Sequence, residues 1–235
     1  KPDFVSMAAN ELRPPITTIR GYASVLQEEI GEVKTDVAAE WTTLLGRISI
    51  SAEQLLTPVE NLLNITKIEK GILSLSLKDH KWKDAIMEVV EVFKDRAKSK
   101  SLNLIVQEIP VDLVAYVDLF RVNEVLSNLI SNAINYTPNG GTIIVDAKIS
   151  EDGKWIETSI TDNGQGIPKE SQGHLFEKFF RVSGPLEQGS KGNGLGLYIS
   201  KSIVEMHNGK IWVESDQGMG AKFTFTIPKS DSLLE

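Results

Sequence analysis

No cysteine occurs among the 235 residues. Disulfides, thiolate metal sites and a cysteine nucleophile are thereby excluded, and a cytoplasmic setting is expected. A basic excess is also missing: 25 Lys and Arg face 32 Asp and Glu, for a net charge of −7. That balance argues against a non-specific nucleic-acid binder, so no nucleic-acid partner is expected. No apolar run approaches the ~20 residues of a helical membrane span, and no signal-peptide pattern opens the chain. Because the chain starts at Lys1 rather than Met, membrane attachment is expected only through segments upstream of it. Histidine is scarce, with His80, His174 and His207 alone. A 41% hydrophobic content still suffices for the cores of one or two domains.

Two heptad patterns come first. Leu12, Ile16, Ile19, Ala23, Leu26 and Ile30 recur in steps of four and three, one apolar stripe on a helix. Pro14 and Pro15 remove two backbone donors and are expected to bend that helix. Asn10, Glu11 and Arg13 lie just before the bend; taken alone, they read as the solvated face of a bundle helix. The polar GEVKTD (31–36) is a turn. A second helix is expected from about residue 37 to 70, with Leu45, Ile48, Ala52, Leu55, Val59 and Leu62 as its stripe. Pro58 should kink it and Gly71 should cap its end. A hairpin with one stripe per helix cannot close a core alone. A homodimer through residues 1–70, forming a four-helix bundle, is therefore expected.

The pattern changes near residue 72. ILSLSL (72–77) alternates like a strand, and a helix follows from about Trp82 to Lys100. LNLIVQEI and DLVAYV read as strands. Asp118 is then the N-cap of a helix to Tyr136 that buries Val122, Val125, Leu126, Leu129, Ile130 and Ala133. TIIVDAKI and WIETSITD form a hairpin, a helix runs from about Gly194 to His207, and KIWVES and AKFTFTI close the chain. Helices among mostly antiparallel strands indicate an α+β sandwich. The expected domains are 1–72 and 73–235.

Three segments of the second domain carry candidate chemistry. Asn128 and Asn132 share a helix face one turn apart; an amide oxygen there suits Mg²⁺, although a plain polar face has the same spacing. Asp162-Asn163-Gly164-Gln165-Gly166-Ile167-Pro168 ends a strand with a carboxylate acceptor and two glycines, a composition that ordinary turns share. Gly192-Asn193-Gly194-Leu195-Gly196-Leu197 opens a helix, whose free N–H groups suit a phosphate. Each signal is weak singly.

In this order and spacing, the three segments resemble the N, G1 and G2 boxes of the histidine-kinase ATP-binding domain. FEKFFRV (176–182) resembles its F box, and FVSMAANELRPPITTIRGY (4–22) the H box of the dimerisation and phosphotransfer domain. The resemblance covers the chain from about Phe4 to Pro228. It implies a helical hairpin followed by an ATP-binding sandwich of the histidine kinase, Hsp90 and gyrase type. It implies ATP and Mg²⁺ as cofactors, and the receiver domain of a response regulator as partner. Asn132 would ligate Mg²⁺ with Asn128 beside it; Asp162 would accept from the adenine amino group, with Gly164 and Gly166 giving the base room. Residues from about 168 to 193 would form a lid anchored by Phe176, Phe179 and Phe180, from which Lys178 or Arg181 reaches the γ-phosphate. Gly192, Gly194 and Gly196 would present donors to the phosphates. The set also takes in Asn135, Tyr136, Ile167, Leu195 and Leu197. In related ATPases, a Glu one turn before the metal-binding Asn activates water; Asn128 holds that place here, which favours phosphoryl transfer over hydrolysis.

Departures are as informative. The family's phosphoacceptor His, followed by Glu-Leu-Arg, is here Asn10. An imidazole nitrogen has an available lone pair, whereas the amide nitrogen's is delocalised into its carbonyl. The chain as it stands is therefore expected not to autophosphorylate. Pro14 stands where many relatives have a Thr that positions water to remove phosphate from the response regulator. Asn135 stands where relatives often have a Lys near the phosphates. Glu11 and Arg13 keep the family pattern. Two origins for Asn10 stay open: an introduced exchange for His, or a natural pseudokinase acting as an ATP-binding dimeric scaffold.

Overall fold

The computed structural model describes residues 2–31, 36–182 and 194–231. The chain divides into two compact units between Ser74 and Leu75.

The first unit is a pair of helices, α1 (Pro2–Gly31) and α2 (Asp36–Glu69). Both continue through their internal prolines, Pro14 and Pro15 in α1 and Pro58 in α2. The expected bend is therefore not a break, although the missing proline N–H groups leave the carbonyls of Asn10 and Glu11 without their helical donors. The apolar stripe divides in two. Ile16, Ala23, Leu45, Ala52 and Val59 are buried, and Leu63 joins Ile16, Ala52 and Val59 in one cluster. Leu12, Ile19, Leu26, Ile48 and Leu55 remain 45–61% exposed. Alternate members of each heptad thus close the hairpin, and the others face out.

The second unit begins irregularly. Residues 72–77 form no strand, contrary to the expectation for ILSLSL; alternation alone supplies no partner for a ladder. The strand is instead β1 (Lys78–Lys81), which pairs antiparallel with β3 (Val114–Val117). Helix α3 (Trp82–Ser99) follows β1, and β2 (Asn103–Val106) precedes β3. Helix α4 (Leu119–Tyr136) starts at Asp118, whose carboxylate accepts from Arg121 N at 3.2 Å, the expected N-cap. Strands β4 (Thr142–Ile149) and β5 (Trp155–Asp162) form the expected hairpin. A single-turn α5 (Lys169–Gln172), α6 (Gly196–Met206), β6 (Ile211–Ser215) and β7 (Ala221–Pro228) complete the chain.

Five strands make one mixed sheet in the order β2-β4-β5-β7-β6, antiparallel except for β2 beside β4. Every second residue of β5 is buried, and α3, α4 and α6 cover that face. Trp82 is fully buried there, its Nε1–H donating to Thr158 Oγ1 at 2.8 Å and its ring edge-on to Phe225. Helix α4 sits centrally. Its apolar face (Val122, Val125, Leu126, Leu129, Ile130, Ala133) is buried as expected, and this leaves its polar face between α3 and α6.

Candidate functional site

The polar face of α4 carries Asn128, Ser131, Asn132 and Asn135, at spacings that align them along one side. Asn128 donates through Nδ2 to Ser200 Oγ of α6 at 2.9 Å. A Cβ on Gly196 would fall 2.4 Å from Asn128 Oδ1, so this amide and the start of α6 are packed together. Asn135 Oδ1 accepts from Arg96 Nη2 of α3 at 2.6 Å, and Arg96 Nη1 reaches Ser131 Oγ at 3.2 Å. Lys100, one turn further on, donates to the carbonyls of Ile134 and Thr137 and so caps the end of α4. Asn132 lies between these pairs. It is half-buried and has no hydrogen-bond partner among the described residues. One uncommitted amide oxygen suits a hard cation that keeps most of its shell as water and phosphate.

Asp162 closes β5 and is buried. Its Oδ1 accepts from Gly164 N at 2.8 Å. Burial pushes its carboxyl above the usual carboxylate range, partly offset by the N–H groups of Gly164 and Ala221. A buried acceptor that is costly to ionise favours a ligand that brings its own donor. Asn163 pins the following loop by accepting from Thr142 N at 2.8 Å.

The glycines of this loop answer to the protein's own backbone. A Cβ on Gly164 would meet the Tyr136 carbonyl at 2.6 Å; one on Gly166 (φ +68°) would meet that of Asp216 at 2.0 Å. Packing against the protein's own backbone thus accounts for both glycines. Two residues missed in the sequence, Ser215 and Gln172, complete that packing. Ser215 Oγ accepts from Ile167 N (2.8 Å) and donates to Gly220 O (2.6 Å). Gln172 Nε2 donates to both Ile167 O and Ser215 O. No sequence signal distinguishes that Ser or Gln from any surface residue.

Helix α6 has no side-chain cap at Leu195, so its first N–H groups keep the donor character expected of a phosphate cradle. Leu195 is buried; Gly196 and Leu197 are half-buried, as is Ile167 in the Asp162 loop. Gly192 lies outside the described residues, as does the 183–193 part of the span expected to be a lid. Gly194 (φ +69°) is held against Phe179 and Phe180, and its carbonyl accepts from Phe179 N at 2.9 Å. Phe179 itself is 64% exposed with φ +62°. Its contact with Gly194 is made through the backbone. Lys178 places its ammonium 4.9 Å from the Tyr198 ring centre on α6. Arg181 is likewise engaged. Tyr136 is 40% exposed at the end of α4.

In the first unit, Asn10 lies on α1 one turn before Pro14; the side chains of Asn10 and Glu11 lie outside what is described. Arg13 turns toward α2, its Nε 3.8 Å from Glu60 Oε1 in an exposed ion pair.

A buried carboxylate at a strand end, a glycine-flanked helix without a side-chain cap and an amide-bearing helix make a candidate nucleotide site in an α/β unit that follows a helical hairpin. Comparison with known proteins agrees. Residues 117–231 match the family described as histidine kinase-, DNA gyrase B-, and HSP90-like ATPase, and residues 1–71 match the His Kinase A (phospho-acceptor) domain. The sensor histidine kinase WalK of Bacillus subtilis is 31% identical over 232 residues, covering 96% of this chain and 36% of its own length. The nucleotide-free catalytic domain of the histidine kinase ThkA is 30% identical with a TM-score of 0.58, covering 66% of this chain and 96% of that one. Full-length ShkA in complex with AMPPNP, at 23% identity, shares the fold with a TM-score of 0.79 over 100% of this chain and 47% of its own. The chain belongs to the histidine kinase family and comprises its catalytic core. It spans 25–36% of the length of the first curated relatives that it matches.

Proposed function

We propose that this chain is the core of a two-component sensor histidine kinase that binds ATP with Mg²⁺ and, with Asn at position 10, does not autophosphorylate. The observation that carries the reading is Asn132, the uncommitted amide between the engaged Asn128 and Asn135. Asn132 would hold Mg²⁺ through its oxygen, and Asp162 would accept from the adenine amino group. The α6 N-terminus, with Gly194, Leu195, Gly196 and Leu197, would face the phosphates, joined by Lys178, Phe179 and Arg181 when nucleotide is present. Tyr136, Ile167, Gly164 and Gly166 would line the base. Bound ATP supplies the phosphoryl group; the hairpin, residues 1–72, would present position 10 to it, flanked by Glu11 and Arg13. Residues 73–235 form the ATP-binding domain. We place the dimer interface in residues 1–70, the receiver domain of a response regulator as the partner and the cytoplasm as the site of action. Among the described residues no helix is long and apolar enough to cross a membrane.

Calorimetry with ATP and Mg²⁺ tests the binding. Asn132→Ala is expected to remove the Mg²⁺-dependent part of the affinity, and an unchanged affinity would overturn the assignment. Asn10→His with γ-labelled ATP tests the phosphotransfer: alkali-stable label is expected on the variant and none on the unchanged chain.

A second reading is an ATP-binding dimeric scaffold of natural pseudokinase type. Pro14 favours it, because the H box then differs from the family at two positions. Tight ATP binding combined with persistent inactivity after Asn10→His would select the scaffold.

A further inference from the structure

Arg96 is an exposed residue in the last turn of α3, yet its guanidinium is held in place. Nη2 donates to Asn135 Oδ1 at 2.6 Å and Nη1 to Ser131 Oγ at 3.2 Å. Ser131 and Asn135 flank Asn132 in sequence by one and three residues, so the guanidinium lies over the α4 face that carries Asn132. A guanidinium has five N–H donors, and these two bonds use two of them. Lys100, its neighbour one turn on, is committed to main-chain carbonyls at the α4 terminus and is not comparable. Arg96 is instead tied to side chains only, and it remains open to solvent.

We infer that Arg96 is a phosphate-binding residue of the nucleotide site, held over the Asn132 face by Ser131 and Asn135. The inference rests on the reading of α4 as the side of the site that meets Mg²⁺ and phosphate. A planar fork with donors to spare matches phosphate oxygens in geometry as well as charge. Holding the side chain in advance lowers the entropy lost when the anion arrives. Arg96 comes from α3, outside every glycine-rich or asparagine-bearing segment. Its assignment as a purely structural tie between α3 and α4 is the competing account, and the two differ in what they do to phosphate recognition.

The test compares Mg²⁺–ATP with adenosine, which shares the base and sugar but has no phosphate. Arg96→Gln is expected to weaken ATP binding about 10-fold and leave adenosine within about 2-fold, because one charge-assisted phosphate contact is removed. The salt dependence of ATP binding should fall with it. Arg96→Lys, which keeps the charge without the fork, should recover part of the loss. Equal weakening of ATP and adenosine, an unaltered ATP affinity in Arg96→Gln, or no recovery in Arg96→Lys would each overturn the inference. An unchanged chain that binds neither ligand would overturn the nucleotide-site reading itself, so the two failures are distinct.

Discussion

His207 is the one histidine buried in the second unit, at 1% exposure. Its Nε2 accepts from Asp118 N at 3.0 Å and its Nδ1 lies 2.8 Å from Ile203 O, a pair of bonds that only the neutral Nδ1–H ring satisfies. Burial holds its pKa below the ordinary 6.5, against smaller opposing effects from the Ile203 carbonyl and the Asp118 charge. The native chain therefore binds fewer protons than the unfolded one as pH falls below 6.5, and stability is lost through that window. Thermal unfolding between pH 7.5 and 5.5 should show this, with a slope of at most about 1.4 kcal/mol per pH unit. His207→Gln should flatten it. Asp162 has the opposite sign. Its raised pKa means that the folded form is favoured at low pH and pays for ionisation as pH rises through that pKa. Asp162→Asn should cost adenine-nucleotide affinity about 10-fold or more, on the scale of one hydrogen bond to a charged acceptor. Titration calorimetry reads this directly.

Among elements, the Asp162–Pro168 loop depends on the β6–β7 turn. Gly166 and Gly220 admit no side chain because the carbonyls of Asp216 and Asp162 lie 2.0 Å from where a Cβ would stand. Ser215 joins the two segments through a single hydroxyl. Ser215→Ala leaves Ile167 N–H and Gly220 C=O without that partner and should destabilise the unit by about 1–3 kcal/mol. It should also weaken nucleotide binding, whereas Ser215→Thr should restore both. Chemical denaturation and calorimetry on the same samples would show whether the losses move together. A loss of stability with unaltered nucleotide affinity would separate the loop from the site.

For the whole molecule, the outward half of each heptad is the decisive feature. Ile19, Ile48 and Leu55 line an open groove of about 450 Å³ with Ile16, Leu44, Arg47, Ser51 and Ala52. Single exposed apolar residues are ordinary, but a periodic set along two helices marks an association surface. Light scattering of the unchanged chain should give a dimer mass, and Ile48→Glu with Leu55→Glu should give a monomer. A monomeric unchanged chain would remove the bundle from the reading.

The sequence by itself determined the periodic features. Heptads marked α1 and α2, two-residue alternation marked β4, β5 and β7, and Asp118 marked the start of α4. Each depends on residues within a few positions of one another, so it is local and legible. The same held for the family boxes, whose spacing is linear. Tertiary structure alone decided which polar groups are already engaged. Asn128 and Asn135 have the same chemistry as Asn132, and only Ser200 and Arg96, 72 and 39 residues away, separate the two from the one. Strand β1 was hidden for the same reason: Lys-Asp-His-Lys has no apolar pattern and exists as a strand because the β3 edge stands beside it. ILSLSL had the pattern but no partner. Hydrogen bonds close between residues that folding brings together, and a linear pattern records only what one stretch of chain prefers.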